Sequence, residues 1–121
     1  MMNLALLNQY NLKFLRNVDS NNRIHLGASG GGVSEMLDDC FDPDIIDEFI
    51  EKIDLYANGG TAYDGYNVIS TEIYIAYLDH ESADVYLNIG DSKHLQTIPL
   101  IDLKNIFMMW KEFLNQNGVK Y

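Results

Sequence analysis

The chain has 121 residues, 47% apolar and 21% charged, with eighteen acids against eight bases and a formal charge of −10. That length suits one domain around one core, and the ordinary composition excludes disorder, collagen-like repeats and a disulfide scaffold. The charge repels nucleic acid and anionic lipid and favours encounter with a basic protein.

The opening MMNLALLNQYNLKFLR lacks the basic start and long apolar core of a secretion signal, and no stretch approaches the ~18 apolar residues of a membrane span, which predicts a cytoplasmic protein. Leu4, Leu7, Phe14 and Val18 fit helical spacing. The segments LKFLRNV and RIHL around the turn DSNN instead read as two strands, and strands between Leu12 and Leu26 are the preferred reading. Next comes HLGASGGGVSEML, with four of the nine glycines in six positions. Here the glycines are expected to let the chain leave a strand and turn sharply, with Ser34 capping a short helix through Glu35, Met36 and Leu37. Cys40 has no cysteine partner, and Asp38, Asp39 and Asp42 disfavour its thiolate, so it is expected to be a packing residue.

DPDIIDEFIEKIDLYANGG predicts a helix. Asp42 can cap it, Pro43 suits its first position, Ile45, Ile46, Phe49, Ile50 and Ile53 recur at helical spacing, and Gly59 offers a left-handed stop. From Asn67 to Leu78, NVISTEIYIAYL predicts one long strand with Ile69, Thr71, Ile73, Ile75 and Tyr77 on one face. The polar patch DHESAD then turns the chain into a second strand, in which Val85, Leu87 and Ile89 alternate with Tyr86 and Asn88 before Gly90 and Asp91; the two strands should pair as an antiparallel hairpin. HLQTI predicts a third strand ended by Pro99. In LIDLKNIFMMWKEFLNQNG, residues Leu103, Ile106, Phe107, Trp110, Phe113 and Leu114 form the stripe of a helix that covers one sheet face, with Gly118 as its stop. No repeat or linker divides the chain, so the expectation is a single α+β domain, residues 1–121, with a mainly antiparallel sheet and helices packed on it.

Two patterns in the glycine run imitate catalytic loops. GASGG matches the G-x-S-x-G nucleophile elbow with Ser29 as nucleophile, but an elbow needs a buried parallel strand before it and a helix straight after, where this chain has three more glycines. Asp79, His80, Asp91 and His94 follow in permissible order without spacing that sets them beside Ser29. Gly27, Gly32, Val33 and Ser34 match a phosphate-binding loop, except that Val33 replaces the lysine that grips the phosphates. Elsewhere HESAD puts Asp84 where a zinc-binding H-E-x-x-H needs its second histidine, His25 and His94 are isolated, and DDCFDPD lacks EF-hand spacing. No metal and no cofactor are expected.

Nine acids lie between Glu35 and Asp54, opposed only by Lys52. On the predicted helix Asp44, Asp47, Glu48 and Glu51 are three or four apart, opposite the isoleucines. The helix dipole favours acids in the first turn but opposes Asp54 and, less strongly, Glu51 toward the far end; a basic partner would account for those two. Tyr56, Tyr63, Asp64 and Tyr66 follow in a glycine-punctuated loop, and tyrosine combines a rigid apolar ring with a polar tip suited to interfaces. Asp44, Asp47, Glu48, Glu51, Asp54, Tyr56, Tyr63, Asp64 and Tyr66 are therefore the expected partner-binding residues.

An acidic α+β domain of this size, with IPLIDL leading into a helix carrying MMWKEFL, resembles the immunity proteins of bacterial contact-dependent growth inhibition and related polymorphic toxin systems, chiefly over residues 67–117. The resemblance implies a cognate toxin domain, often a basic nuclease, neutralised by direct binding in the cytoplasm, with no catalytic residue to carry over. The other two readings are a small hydrolase using Ser29 or a histidine, and an acidic adaptor or nucleic-acid mimic directed at some other basic protein.

Overall fold

A computed structural model describes residues 3–90 and 92–118, so Asp91 lies outside the described residues. The element order is α1 (Leu4–Gln9), β1 (Lys13–Val18), β2 (Ile24–Ser29), α2 (Gly32–Leu37), α3 (Pro43–Ala57), β3 (Val68–Ser70), β4 (Tyr74–Leu78), β5 (Ser82–Leu87), β6 (Lys93–Pro99) and α4 (Leu100–Gln116). The strands form an antiparallel pair β1-β2 and an antiparallel four-stranded sheet in the order β3-β4-β5-β6, the α+β class expected from the sequence.

Side chains cap α1 and α3. Asn3 accepts the Leu6 amide at 3.1 Å and starts α1, a helical turn that uses Leu6 and Leu7 and ends before the segment expected as strands. The strands from Leu12 onward do form, and β2 continues past Leu26 to Ser29. Their turn is held by the Asp19 carboxylate, which accepts the amides of Asn21 and Arg23 at 2.8 and 3.0 Å. Asp42 accepts the Asp44 amide at 2.9 Å, with Pro43 in the first turn, and opens α3.

The expected long strand over residues 67–78 is two short ones. The chain reverses at residues 71–73, where the Thr71 hydroxyl accepts the Tyr74 amide at 3.2 Å and the Thr71 amide donates to the Tyr74 carbonyl at 2.9 Å. This reversal also shifts the alternation. Ala76 and Leu78 face the core, with relative exposures of 0% and 2%, while Tyr77 is 44% exposed. Registers confirm the inward face: Ile69 sits opposite Ala76 and Ala76 opposite Val85, while Leu78 sits opposite Ala83 and Ala83 opposite Ile98. The second strand of the predicted hairpin begins earlier than expected, at Ser82, and Ile89 lies beyond its end and is exposed.

The core fills between that sheet face and the helices. α4 packs on β5, β6, α1 and antiparallel against α3. Trp110 is its hub, fully buried, with Phe14 edge-on at 5.1 Å, Phe41 at 5.7 Å, Phe113 stacked at 5.7 Å, and its Nε1 donating to the Cys40 carbonyl at 2.7 Å. Ile46, Ile53, Leu103, Ile106, Phe107 and Leu114 are also fully buried, each contributing about 1.5–3 kcal/mol of apolar transfer. The Tyr10 hydroxyl donates to the Asp102 carboxylate and ties the end of α1 to α4; burial, then the hydrogen bond and charge of Asp102, pushes that phenol up to about 12. Among the described residues no helix is long and apolar enough to cross a membrane.

Candidate functional site

The glycine run is a packing joint. Gly30 has φ +130°, and a Cβ there would lie 2.0 Å from the Asn11 carbonyl oxygen; one on Gly32 would lie 2.7 Å from the Leu95 Cβ. The chain thus passes against the α1–β1 turn and β6 at distances only glycine allows. The α2 helix starts as soon as this contact is made, capped by Gly31 rather than by Ser34. Ser34 is buried inside the first turn and donates its hydroxyl to the Gly31 carbonyl at 2.6 Å, so it serves a carbonyl three residues back and leaves the free amides of the helix start uncapped by its side chain. Ser29 ends β2 opposite Lys13, and no hydrogen bond joins it to a histidine among the described residues.

The histidines are dispersed. His25 meets the Asp19 carboxylate at 2.8 Å, and His80 Nδ1 lies 2.9 Å from the Tyr56 carbonyl. On the outer sheet face His94 lies 3.0 Å from the Thr97 hydroxyl and 3.3 Å from Asp84. Both contacts fall on the same nitrogen, Nε2, so this cluster lacks the two-sided imidazole that relays a proton from a hydroxyl to a base. Cys40 is buried as expected, and burial, with Asp39 and Asp42 nearby, pushes its thiol up to about 12. Among the described residues no group of three histidines, cysteines or acids is arranged to hold a metal.

Glu35 is exposed in the first turn of α2, and the other eight acids of the run separate into three sets. Asp38 accepts the Ala28 amide at 3.2 Å, Asp39 the Ile73 amide at 3.4 Å, and Asp42 caps α3; these carboxylates serve the backbone. Asp47 and Asp54 belong to the α3–α4 contact, pairing with Lys111 and Lys104 at 2.7 Å each. The two acids are seven residues apart on α3 and the two lysines seven apart on the antiparallel α4, so both pairs cross one seam. Between them Ile50 and Met108 floor a groove of about 680 Å³. Lys104 therefore accounts for Asp54 near the unfavourable end of the helix dipole, without a partner protein.

Asp44, Glu48 and Glu51 form the third set, exposed and meeting no cation among the described residues. Glu48 and Glu51 share the rim of a shallow depression of about 310 Å³ with Tyr63 and Asp64, over Leu55 and Ala62. Leu55 is 40% exposed, and Tyr63 stands wholly in solvent at 107%. Lys52 reaches Asp64 at 3.8 Å, a loose and largely solvated contact. Tyr66 is exposed at the far end of the same loop, where the Asp64 carboxylate accepts its amide at 2.9 Å.

Tyr56 does not join this surface. It is 5% exposed, its hydroxyl accepts the Ala62 amide at 3.1 Å, and its ring stacks on His80 at 5.9 Å. The spacing of Ile46, Phe49, Ile53 and Tyr56, three or four residues apart, was the signal that it continues the buried stripe. The structure thus gathers Glu48, Glu51, Tyr63 and Asp64, leaves Asp44 and Tyr66 exposed beside them, turns Asp47 and Asp54 toward α4 and sends Tyr56 into the core. Compared with protein-family models, curated proteins and solved structures, the chain matches none.

Proposed function

We propose that the chain is an immunity protein, which neutralises a basic toxin domain, of the nuclease type, by covering its active site with the α3 face and the loop that follows it. The observation that carries this reading is the grouping of Glu48, Glu51 and Asp64 with the fully exposed Tyr63 around the half-exposed Leu55. Glu48 and Glu51, which meet no cation among the described residues, repel one another on the helix surface, and a cationic cleft relieves that repulsion. Held there, they occupy the positions a nuclease offers to substrate phosphates, and Tyr63 and Leu55 supply the desolvated apolar centre that gives such contacts their lifetime. An interface of about 800 Å² per partner accommodates this patch and its rim.

The test is co-expression with the basic protein encoded by the neighbouring reading frame, reading growth of the producing cell. The wild-type chain and Ser29→Ala are expected to protect equally, while Glu48→Lys/Glu51→Lys loses protection. Loss of protection in Ser29→Ala alone would assign the activity to serine chemistry and overturn the proposal.

A further inference from the structure

The charge on this molecule is unevenly divided. Residues 12–29, the β1–β2 hairpin with its turn, carry Lys13, Arg16 and Arg23 against one acid, Asp19, while the rest of the chain holds seventeen acids against five bases. Lys104 and Lys111 pair with aspartates at 2.7 Å and Lys52 reaches one loosely at 3.8 Å, whereas the side chains of Lys13, Arg16 and Arg23, like that of Lys93 on β6, meet no carboxylate among the described residues.

The hairpin is also more apolar outside than its size requires. Register places Phe14, Arg16 and Val18 on one side, opposite Ala28, Leu26 and Ile24. At the base of that side Phe14, Leu26 and Ala28 pack on the core, with Phe14 against Trp110 and Phe113. At the tip the same side continues past the body of the protein, leaving Val18 51% and Ile24 45% exposed as a cross-strand pair beside Arg16. A two-stranded sheet is marginal in water unless its apolar side is covered, and this one is covered over only half its length.

We infer that the hairpin is a docking arm and that its occupant is the acidic α3 face of a second copy of this chain. A nucleic-acid surface would answer the guanidinium groups but leave Val18 and Ile24 without an apolar counterpart, and an anionic bilayer, which offers both, repels the rest of the chain with its seventeen acids against five bases. The second copy offers both: Glu48 and Glu51 for Arg16, with Leu55 and Tyr63 for the apolar pair, while Arg23 in the turn adds to the positive charge of the tip. Repulsion between two acidic bodies is screened beyond about 8 Å at physiological ionic strength, whereas contacts at the tip of a projecting arm are shorter than that. Arm and face are different surfaces, so the contact is head-to-tail and propagates into open chains or closes into a ring. The inference rests on the reading of the α3 face as a binding surface, and it does not require the toxin.

Sedimentation of the purified chain by itself tests it, with circular dichroism confirming that each variant is folded. The wild-type mass should rise above 13.8 kDa with concentration in the range of about 10 μM to 1 mM and fall back as salt is added. Arg16→Glu/Arg23→Glu removes the arm and Glu48→Lys/Glu51→Lys removes the face, and each variant alone should stay monomeric. One further variant and one mixture separate the possibilities. Val18→Ser should weaken wild-type association at least several-fold without altering charge. Equal amounts of Glu48→Lys/Glu51→Lys and wild type should give shorter assemblies than wild type alone, since a chain that lacks the face still donates its arm but accepts none. A wild-type chain that is monomeric throughout overturns the inference, as does association that survives loss of either surface. Retention of a monomeric wild-type chain on anionic vesicles, lost in Arg16→Glu/Arg23→Glu, would reassign the arm to lipid and also overturn it. Because no toxin is present, these outcomes are independent of the protection assay above.

Discussion

Replacing Glu51 with lysine separates a surface kept for binding from one kept for stability. Along α3, Glu51 has Asp47 four residues before it, Glu48 three before and Asp54 three after, with Asp47 and Asp54 at the edge that meets α4. Each like-charge pair at that spacing costs about 0.2–0.5 kcal/mol, and reversal of one partner turns the cost into a gain of similar size. Asp47 and Asp54 already hold Lys111 and Lys104, so their share is reduced and Glu48 supplies most of the change. The net expectation is a stabilisation of about 1 kcal/mol. With a urea m-value of roughly 1–2 kcal/mol/M for a chain of this size, the unfolding midpoint should rise by about 0.5–1 M. Protection against the basic partner should fall in the same variant, the pattern of a residue selected for function against stability. A midpoint that falls would show that Glu51 has a stabilising partner within the fold, and the reasoning about unpaired carboxylates would be wrong.

Other outcomes follow from particular contacts. Gly30→Ala forces a Cβ to within 2.0 Å of a backbone oxygen at φ +130° and should cost more than about 3 kcal/mol in urea unfolding, whereas Gly59→Ala, at φ +82° with nothing within 4 Å, should cost about 1 kcal/mol; equal costs would contradict the packing role of the glycine run. Trp110→Phe removes the donor to the Cys40 carbonyl and part of a fully buried ring, and should cost about 2–4 kcal/mol, with a loss below about 1 kcal/mol refuting its place as hub. The Asp79 carboxylate accepts the amides of Ser82 and Glu81 at 2.6 and 2.7 Å, and these bonds, that of Ser82 first, hold its pKa below the ordinary 3.8. Its contribution to stability is therefore present above that ordinary value and lost as pH falls through the lowered one. Asp79→Asn should flatten the acid limb of the stability profile, measured by urea midpoints between about pH 6 and about pH 2. An unchanged limb would show that the β4–β5 turn does not depend on the ionised carboxylate.

Much of the fold was legible because the signals are local. Asp42, Pro43 and the isoleucine spacing specify α3, and the broad stripe from Leu103 to Leu114 specifies α4. What escaped depends on contacts distant in sequence or on turns without glycine. The β3–β4 turn uses the Thr71 hydroxyl and has no glycine or proline, so NVISTEIYIAYL reads as one strand with Ile69, Ile75 and Tyr77 on one face, whereas the reversal sets Ile69 beside Ala76. The cap of α2 was misplaced because Gly31 acts through its backbone and not through a side chain. Within the candidate site, Glu48, Glu51, Tyr63 and Asp64 were chosen from charge and residue type, and the chain brings them together. Asp47 and Asp54 needed the α3–α4 register, although the matched spacing of seven in Asp47/Asp54 and Lys104/Lys111 was a usable clue. The hairpin arm went unnoticed because its three cations are few against a net charge of −10; only placement shows that they are unpaired.

The central claim is that the α3 face binds a basic protein. Calorimetric titration of the purified chain with a basic nuclease domain of the proposed toxin class, repeated across a series of salt concentrations, tests that claim most directly. A saturable complex that weakens as salt rises, and that loses at least about 100-fold in affinity in Glu48→Lys/Glu51→Lys, is the predicted result. Equal affinity for wild type and variant, with no dependence on salt, would contradict it.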